Sequence, residues 1–333
     1  ASIPLDDPLV QAHDIRSLLG YSPASGDMEF FSVDQTGFYD VTSGGAVASP
    51  ITSCTNGYWR SVNITTSGGN FLWACNGVDK PKLYNGTTWV DLDGVSTPAL
   101  TGITSTDVIN VCLFKSRLFF ILKDSLDFGY LDVNSIAGAV VKFPLGALFR
   151  RGGKLMIADT WSLDAGNGID DYIMFWTSEG EVAIYRGFNP ASADDWALVG
   201  VYTVGAPLSY NSSVKVGGEL LLLTRQGVYP ISKALEASTV TKESAASYKI
   251  QTAFDFYIAN GIDLFGWQIV FHPESTMLLV NVPFKRDDER NFLYSYQFVM
   301  NTTHNAWARF TNMSAECWGS FDGSLYFARH NKV

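Results

Sequence analysis

The chain has 333 residues, of which 47% are hydrophobic and 17% charged, with a net charge of -10. This composition supplies a large core and argues against a disordered chain, and the acidic balance argues against binding nucleic acid through a basic surface. The acidic balance is nevertheless compatible with a channel wall along which DNA slides without binding. No run approaches the ~20 apolar residues of a membrane helix, and ASIPLDDPLV does not have the pattern of a signal peptide, so we expect no membrane anchor.

A polar turn followed by a short apolar run recurs seven times along the chain. The apolar runs begin at Met28, Phe71, Leu118, Leu155, Leu220, Met277 and Leu325. A strand-like segment precedes most of these turns, a segment built around Gly and Tyr usually follows the run, and a segment with Trp or Phe often comes fourth. Four strands every ~40–50 residues is the period of a β-propeller blade. We therefore expect the runs that begin at Phe71, Leu118, Leu155, Leu220, Met277 and Leu325 to be central strands, buried between neighbouring blades.

The predicted fold is all-β: a single β-propeller domain over residues 1–333, with seven blades or, if the first and last repeats share a blade, six. The last repeat ends after two strands, and a ring must hide such an edge. We expect the N-terminal residues or a continuation of the parent chain to close it.

Uneven repeat spacing predicts insertions at about 159–171, 187–196 and 236–262. In the third of these, apolar residues recur at helical spacing. They are Ala245, Ala246, Ile250, Ala253, Phe254 and Tyr257. This predicts one short helix between about Ser238 and Asn260, lying across one face of the propeller or meeting a neighbouring subunit.

Residues with catalytic or metal-binding chemistry are few, and none forms a recognised motif. Cys54, Cys75, Cys112 and Cys317 lack zinc-ligand spacing and are expected to be small buried side chains in a protein that folds in a reducing compartment. His13, His272, His304 and His330 are expected to supply surface or turn polarity. Ser212 and Lys215 satisfy SxxK, but in a strand and not at the helix start that this motif requires.

Acidic residues are the strongest enzyme signal, because propeller glycosidases use paired carboxylates. The candidates are Asp170, Asp171, Asp194, Asp195, Asp287 and Asp288. Since sequence neighbours rarely face each other, we expect no convergent pair, no enzyme activity, and no cofactor. The segment 161–171 offers Asp164, Asn167, Asp170 and Asp171 either as a loose calcium loop or as an ordinary Asx-turn loop.

Apolar residues in loop-like segments predict interfaces with other subunits. They are Phe143, Leu145, Leu148, Phe149, Phe188, Phe284 and Phe292. The charge cluster at 283–292 is either a solvated hairpin tip or a docking loop. The candidate interface residues are Phe149, Arg150, Arg151, Phe284, Lys285 and Arg286.

Segments from about residue 13 to 330 resemble the tail nozzle (tail tubular) β-propeller proteins of short-tailed bacteriophages and prophages. They include MEFFSVDQTGFYDVT, GGNFLWACNGVDKPKLYNGTTWVDL, KSRLFFILKDSLDFGYL, FPLGALFRRGGKLMIADTWSLDAGNGIDD, TSEGEVAIYRG, WALVGVYTVGAPL and AWARFTNMSAECWGSFDGSLYFA. The resemblance implies a structural virion protein, assembled in the bacterial host cytoplasm into a hexameric ring below the head-to-tail adaptor or portal. Phage DNA would leave through its channel without specific binding during ejection. The resemblance implies no catalytic residues.

The alternative is a carbohydrate-binding or carbohydrate-active propeller. Gly68-Gly69 followed by Tyr84 and Trp89 is faintly kelch-like. In this interpretation an aromatic platform for sugars would consist of Trp161, Trp196 and Trp267. A cytoplasmic scaffold propeller is a third possibility.

Overall fold

The computed structural model of the protein describes residues 14–45, 47, 49–164, 169–237, 240–287, 292–329 and 333. The fold is all-β, with 47% of residues in strands and 9% in helices, and it is a β-propeller with six blades. The β-propeller prediction is confirmed, and the blade number is the alternative of six and not seven. No helix in the described ranges is long and apolar enough to cross a bilayer.

The chain divides into two compact units, residues 1–91 with 257–333 and residues 92–256. The first unit begins with two antiparallel four-stranded sheets, β1-β2-β3-β4 and β5-β6-β7-β8. Their strands are β1 Ser17–Tyr21, β2 Glu29–Val33, β3 Gly37–Asp40, β4 Thr52–Ser53, β5 Arg60–Thr66, β6 Gly69–Cys75, β7 Lys82–Tyr84 and β8 Trp89–Asp91.

The second unit holds a sheet β10-β11-β12-β14, a sheet β15-β16-β17-β18, a sheet β19-β20-β21 and a short parallel pair of β9 with β13. Its strands are β9 Leu100–Thr101, β10 Val108–Phe114, β11 Arg117–Leu122, β12 Asp127–Tyr130, β13 Gly138–Ala139, β14 Val141–Pro144, β15 Leu155–Asp164, β16 Ile169–Thr177, β17 Glu181–Arg186, β18 Ala197–Thr203, β19 Ser213–Val216, β20 Glu219–Thr224 and β21 Gly227–Pro230.

After β21 come two helices, α1 Ile231–Ala237 and α2 Gln251–Gly261, and then the remaining strands of the first unit. These strands form the sheet β22-β23-β24-β25 and the two-stranded sheet β26-β27. They are β22 Gln268–His272, β23 Met277–Asp287, β24 Phe292–Asn301, β25 Ala306–Phe310, β26 Cys317–Phe321 and β27 Ser324–Ala328. Helix α2 confirms the predicted helix, whereas α1 was not predicted.

The seventh repeat explains the blade count. Six sheets have three or four strands, whereas in the described residues the last repeat contributes only the hairpin β26-β27. Its tight turn needs positive φ at both central residues, and Asp322 (φ 46°) and Gly323 (φ 69°) supply it. The repeat therefore forms a hairpin, but in the described residues its run at Leu325 is not the buried central strand that the sequence predicts.

The predicted central strand at Leu155 is wrong. Leu155 begins β15, the first strand of its sheet, and the second strand is β16. Strand β16 contains the buried run Ile173, Met174, Phe175 and Trp176. Both strands are apolar, so the sequence pattern could not show which of them was central. Of the predicted insertions, residues 159–171 lie mostly in the long β15-β16 hairpin, and residues 187–196 form a loop between β17 and β18.

Aromatic rings fill the cores of both units. In the second unit Phe128 stacks on Phe175 with ring centroids 4.3 Å apart, and Phe119 stacks on Trp196 at 5.7 Å. In the first unit Phe38 meets Trp59 edge to face at 4.8 Å. Burying such rings contributes roughly 1.5–3 kcal/mol each, so the aromatic strand residues provide much of the driving force for folding.

Candidate interaction surfaces

Two of the loop residues expected to be exposed lie in the core. Leu145 and Phe149 are 0% and 7% exposed and pack in the cluster that contains Phe119 and Phe128. The Leu145 amide donates to the carbonyl of Leu126, which turns this loop inward. The ring of Phe149 is therefore unavailable to a partner, because the loop that looked like a surface feature closes the core.

Arg150 and Arg151 are exposed, and their backbone is held in place. Their amides donate to the two carboxylate oxygens of the buried Glu181, at 3.3 and 2.8 Å. The next residues turn with positive φ, and a Cβ at Gly153 would lie 2.5 Å from Ser178 Oγ. The glycines thus let the chain turn tightly and leave two cationic side chains at the surface.

The second predicted interface segment lies at the end of β23. Phe284 is half-buried against Tyr257 and Tyr296, with centroids 5.4 and 5.9 Å apart. The side chains of Lys285 and Arg286, like that of Phe292, lie outside the described part of the structure. Because residues 288–291 lie outside it too, solvated tip and docking loop both remain open.

Strand β18 presents an apolar sheet edge. It pairs with β17 and is the last strand of its sheet. Leu198 and Val199 are 41% and 40% exposed, and none of the seven residues of β18 is charged. By contrast, the outer strands β8, β14 and β25 carry Asp91, Lys142 and Arg309. Charges and prolines normally protect sheet edges from pairing, so β18 is an unprotected edge up to Thr203, whose carbonyl accepts from the Val240 amide.

The hairpin β26-β27 borders an open groove of about 810 Å³. The groove lies beside β27, and its wall is mostly apolar. Its lining includes Met277, Phe310, Met313, Trp318, Leu325 and Phe327. His272 and Glu274 add polar groups at one end, where the His272 ring is 3.0 Å from both Ser275 Oγ and the Gly323 carbonyl.

A buried polar network fixes the hairpin to the sheet β22-β25. Gln268 clamps the backbone of Trp318, accepting from its amide and donating to its carbonyl, both at 2.9 Å. The Trp318 indole donates to Asn281 Oδ1 at 3.0 Å, and Gln297 donates to the same oxygen at 2.9 Å. Asn281 itself donates to the carbonyl of Ala315. One side of the hairpin is thus anchored by satisfied hydrogen bonds.

Of the acidic candidates, Asp171 and Asp195 have separate hydrogen-bond partners and Asp194 is exposed. Asp171 accepts from Ser162 Oγ at 2.6 Å, and Asp195 accepts from the amides of Phe188 and Asn189 at 3.1 and 2.7 Å. The side chains of Asp170 and Asp287, and all of Asp288, lie outside the described residues, as do the side chain of Asp164 and all of Asn167. The calcium-loop alternative therefore stays open.

The SxxK segment forms a polar cluster with β15. Ser213 donates to Asp159 at 2.7 Å, and Lys215 donates to Thr160 Oγ1 at 2.6 Å. Burial raises the pKa of the Asp159 carboxyl above its usual range, although Lys215 and the Ser213 hydroxyl oppose the shift. Ser212 is itself fully buried and accepts from the Ser209 amide. The residues lie on strands β15 and β19, so the arrangement connects strands and does not match the helical motif.

Metal and thiol chemistry finds no support among the described residues, where no group of three or more His, Cys, Asp or Glu side chains could hold a metal ion. All four cysteines are free. Burial raises the pKa of Cys54 to about 12 and raises the thiol pKa values of Cys75, Cys112 and Cys317 as well. The thiols are therefore protonated and poorly nucleophilic at neutral pH.

The proposed sugar platform does not exist. Trp161, Trp196 and Trp267 are 3%, 6% and 2% exposed, so each ring belongs to the core of its own unit. Sequence alone missed this because a Trp next to Gly, Asp and Asn looks like a loop residue even when its ring turns inward.

No protein-family model and no curated protein matches the chain. Among solved structures it is similar to one described as BBS1N in complex with ARL6DN, soaked with mercury. The identity is 12% and the TM-score 0.42, over 64% of this chain and 63% of that chain. The protein thus spans less than two thirds of that neighbour's length. At this level the likeness carries no argument about function.

Proposed function

We propose that this protein is a structural component of a bacteriophage tail, a nozzle subunit that assembles side by side into a ring through which the genome leaves. The proposal rests on the resemblance of the segments described above to tail nozzle proteins. Those segments fall in the strands of every described sheet except β9-β13 and β19-β21. The acidic balance is consistent with a conduit that must not hold a polyanion.

The unprotected edge of β18 is the observation that carries the assembly part of the proposal. A seven-residue strand that exposes Leu198 and Val199 without charge is a template for pairing with another chain. Closed rings of identical subunits bury such edges in head-to-tail contacts. A monomer would leave this edge in water, where it favours uncontrolled aggregation.

The test compares two lysine variants by native mass spectrometry and by electron microscopy of the purified protein. In Leu198→Lys/Val199→Lys, two ammonium groups on the edge should disrupt ring assembly. The control is Val95→Lys, at a loop residue that is 91% exposed. We expect the wild-type protein and the control to form rings of about six times the 36.5 kDa chain mass, and the edge variant to remain monomeric.

Two further measurements bear on the tail itself. Quantifying the protein in purified virions should give a copy number near six, and its absence from virions would defeat the proposal. Replacing Arg150 and Arg151 with glutamate should impair assembly more than DNA delivery by tails already formed, because we place these arginines at subunit contacts and not along the lumen. A larger loss of delivery than of assembly would contradict that placement.

A further inference from the structure

The sheets β15-β18 and β19-β21 meet at a cluster of four polar side chains on their first strands. Ser213 Oγ of β19 donates to Asp159 Oδ2 of β15 at 2.7 Å, and Lys215 Nζ donates to Thr160 Oγ1 at 2.6 Å. In the described ranges no strand of one sheet pairs with a strand of the other. At this point the polar connection between the sheets therefore depends on side chains, and it is sensitive to the charge that they carry.

The carboxyl group of Asp159 is poorly compensated for a charged group in this position. Its side chain is 22% exposed, and besides the Ser213 hydroxyl it accepts from the Thr160 amide at 2.7 Å. The Lys215 ammonium is 3.9 Å from Asp159 Oδ1, and because that lysine is 51% exposed, water and salt screen its charge. Lys215 makes its shorter contact with the neutral hydroxyl of Thr160.

The other strands packed around Asp159 add no compensating charge in the described part of the chain. On β16 the paired residue is Met174, and on β10 the titratable neighbour is the buried Cys112 thiol. Burial raises the pKa of that thiol, and the Asp159 charge raises it further, so the thiol stays neutral. Burial also raises the pKa of the Asp159 carboxyl, and the Lys215 ammonium and the hydrogen bonds to the carboxyl oppose this shift only in part.

We propose that this cluster is a pH-dependent latch between the two sheets, closed when the Asp159 carboxyl is protonated and loosened when it ionises. A neutral carboxyl keeps a hydrogen bond with the Ser213 hydroxyl without the cost of a buried charge. Ionisation restores that cost, which the folded state reduces by admitting water between β15 and β19. The latch lies entirely within the second unit, residues 92–256, and the inference is independent of the tail assignment.

The raised pKa fixes the direction of the pH dependence. Because the folded state binds the Asp159 proton more tightly than the unfolded chain does, this residue stabilises the fold most at low pH. That stability is lost as the pH rises from the ordinary aspartate value through the raised value of the folded protein. The unfolding constant of the wild type, divided by that of Asp159→Asn, should therefore increase with pH and then level off.

Two variants test whether the cluster joins the sheets. Ser213→Ala removes the hydroxyl that crosses between them, and at the acid end of the stable pH range it should lower the hydrogen-exchange protection of β20 about tenfold. The control is Asp171→Asn. Asp171 also accepts from a serine hydroxyl, that of Ser162 at 2.6 Å, and lies 3.9 Å from the Lys115 ammonium, but these partners are on β15 and beside β10. The control should therefore leave the protection of β20 unchanged.

Carbon NMR of the full chain measures the titration of Asp159 directly, with Asp159→Asn to assign the signal. We expect the carboxyl carbon to titrate above the ordinary aspartate value of about 3.9. Lys215→Met should move the midpoint higher still, because the cation that opposes the shift is gone. In the wild type the protection of β20 should fall over the same pH interval, whereas in Asp159→Asn it should not respond to pH there.

Three outcomes overturn the proposal: a carboxyl carbon of Asp159 that titrates at or below the ordinary value, a protection of β20 that stays constant across that titration, or equal effects of Ser213→Ala and Asp171→Asn on β20. Should Asp159→Asn not fold, the wild type and Lys215→Met still supply the titration and the exchange comparison. None of these outcomes bears on ring formation, which the β18 edge variant tests separately.

Discussion

The sheets β10-β14 and β26-β27 begin with the same kind of hairpin and end in different states. Both hairpins turn through two residues with positive φ, Lys115-Ser116 in one and Asp322-Gly323 in the other. Strand β11 then pairs with β12 and is fully buried, whereas β27 pairs with no third strand of the described residues and remains half-buried. The apolar character of a strand therefore does not by itself decide its burial. The strands beside it and the sheets that pack on its faces do.

The difference distinguishes the interactions that form a hairpin locally from the tertiary contacts that bury it. Turn chemistry and an apolar run are sufficient to specify a hairpin, because they act within about a dozen residues. Desolvating the second strand needs partners from elsewhere in the chain, and β27 obtains them on one face, where Leu325 and Phe327 pack against Leu279 and Val299. We therefore expect β26-β27 to be the less stable of the two hairpins.

Truncating one aromatic ring in each hairpin gives the largest expected effect. Phe119 is 0% exposed and stacks on Trp196, so Phe119→Ala should lower the free energy of unfolding by about 3–5 kcal/mol. Phe327 is half-buried against Trp318, with centroids 5.1 Å apart, and Phe327→Ala should cost about 1–2 kcal/mol. Urea unfolding measures both. Equal costs would show that β27 is as well covered as β11.

The Asn281 network should have the next largest effect. Asn281→Ala removes the acceptor of the Trp318 indole and of Gln297, which leaves buried donors unsatisfied and should cost about 2–3 kcal/mol. Asn110 is a matched control: it is 6% exposed in β10 and donates one side-chain hydrogen bond, to the Met156 carbonyl. Asn110→Ala should cost about 1 kcal/mol.

Hydrogen exchange distinguishes the two asparagine variants further. In Asn281→Ala the amides of residues 317–328 should exchange faster, whereas Asn110→Ala should leave them unchanged, because the network anchors only the last hairpin. Unchanged exchange in both variants would mean that packing alone holds β26-β27.

The sequence predicted the strands well because period, turn chemistry and aromatic content are local signals. It correctly predicted the helix that became α2 from apolar spacing around Phe254. It misplaced Leu155, because two consecutive strands of that sheet are both apolar and the run alone carries no strand order.

The surface sites were harder to predict for a physical reason. Phe149 and Trp196 lie in polar, glycine-containing segments, yet their rings turn into the core, and such turns depend on tertiary contacts that no local pattern encodes. The groove beside β27 had one sequence signal, the last repeat's lack of a Gly-Tyr strand. The β18 edge had another, a seven-residue run without charge, but its importance depends on β18 being the outermost strand of its sheet.

Two of the three buried thiols provide the finest comparison, because Cys112 lies in β10 and Cys317 in β26. Burial raises the pKa of both thiols, so neither is intrinsically more reactive at neutral pH.

Static exposure favours reaction at Cys112, which is 7% exposed against 3% for Cys317, whereas local opening of the incomplete sheet favours reaction at Cys317. We expect N-ethylmaleimide to modify Cys317 at least about tenfold faster than Cys112. Peptide mass spectrometry measures both rates, and Cys→Ser variants assign each modified peptide to its cysteine. Faster modification of Cys112 would show that the hairpin is as tightly closed as the complete sheet.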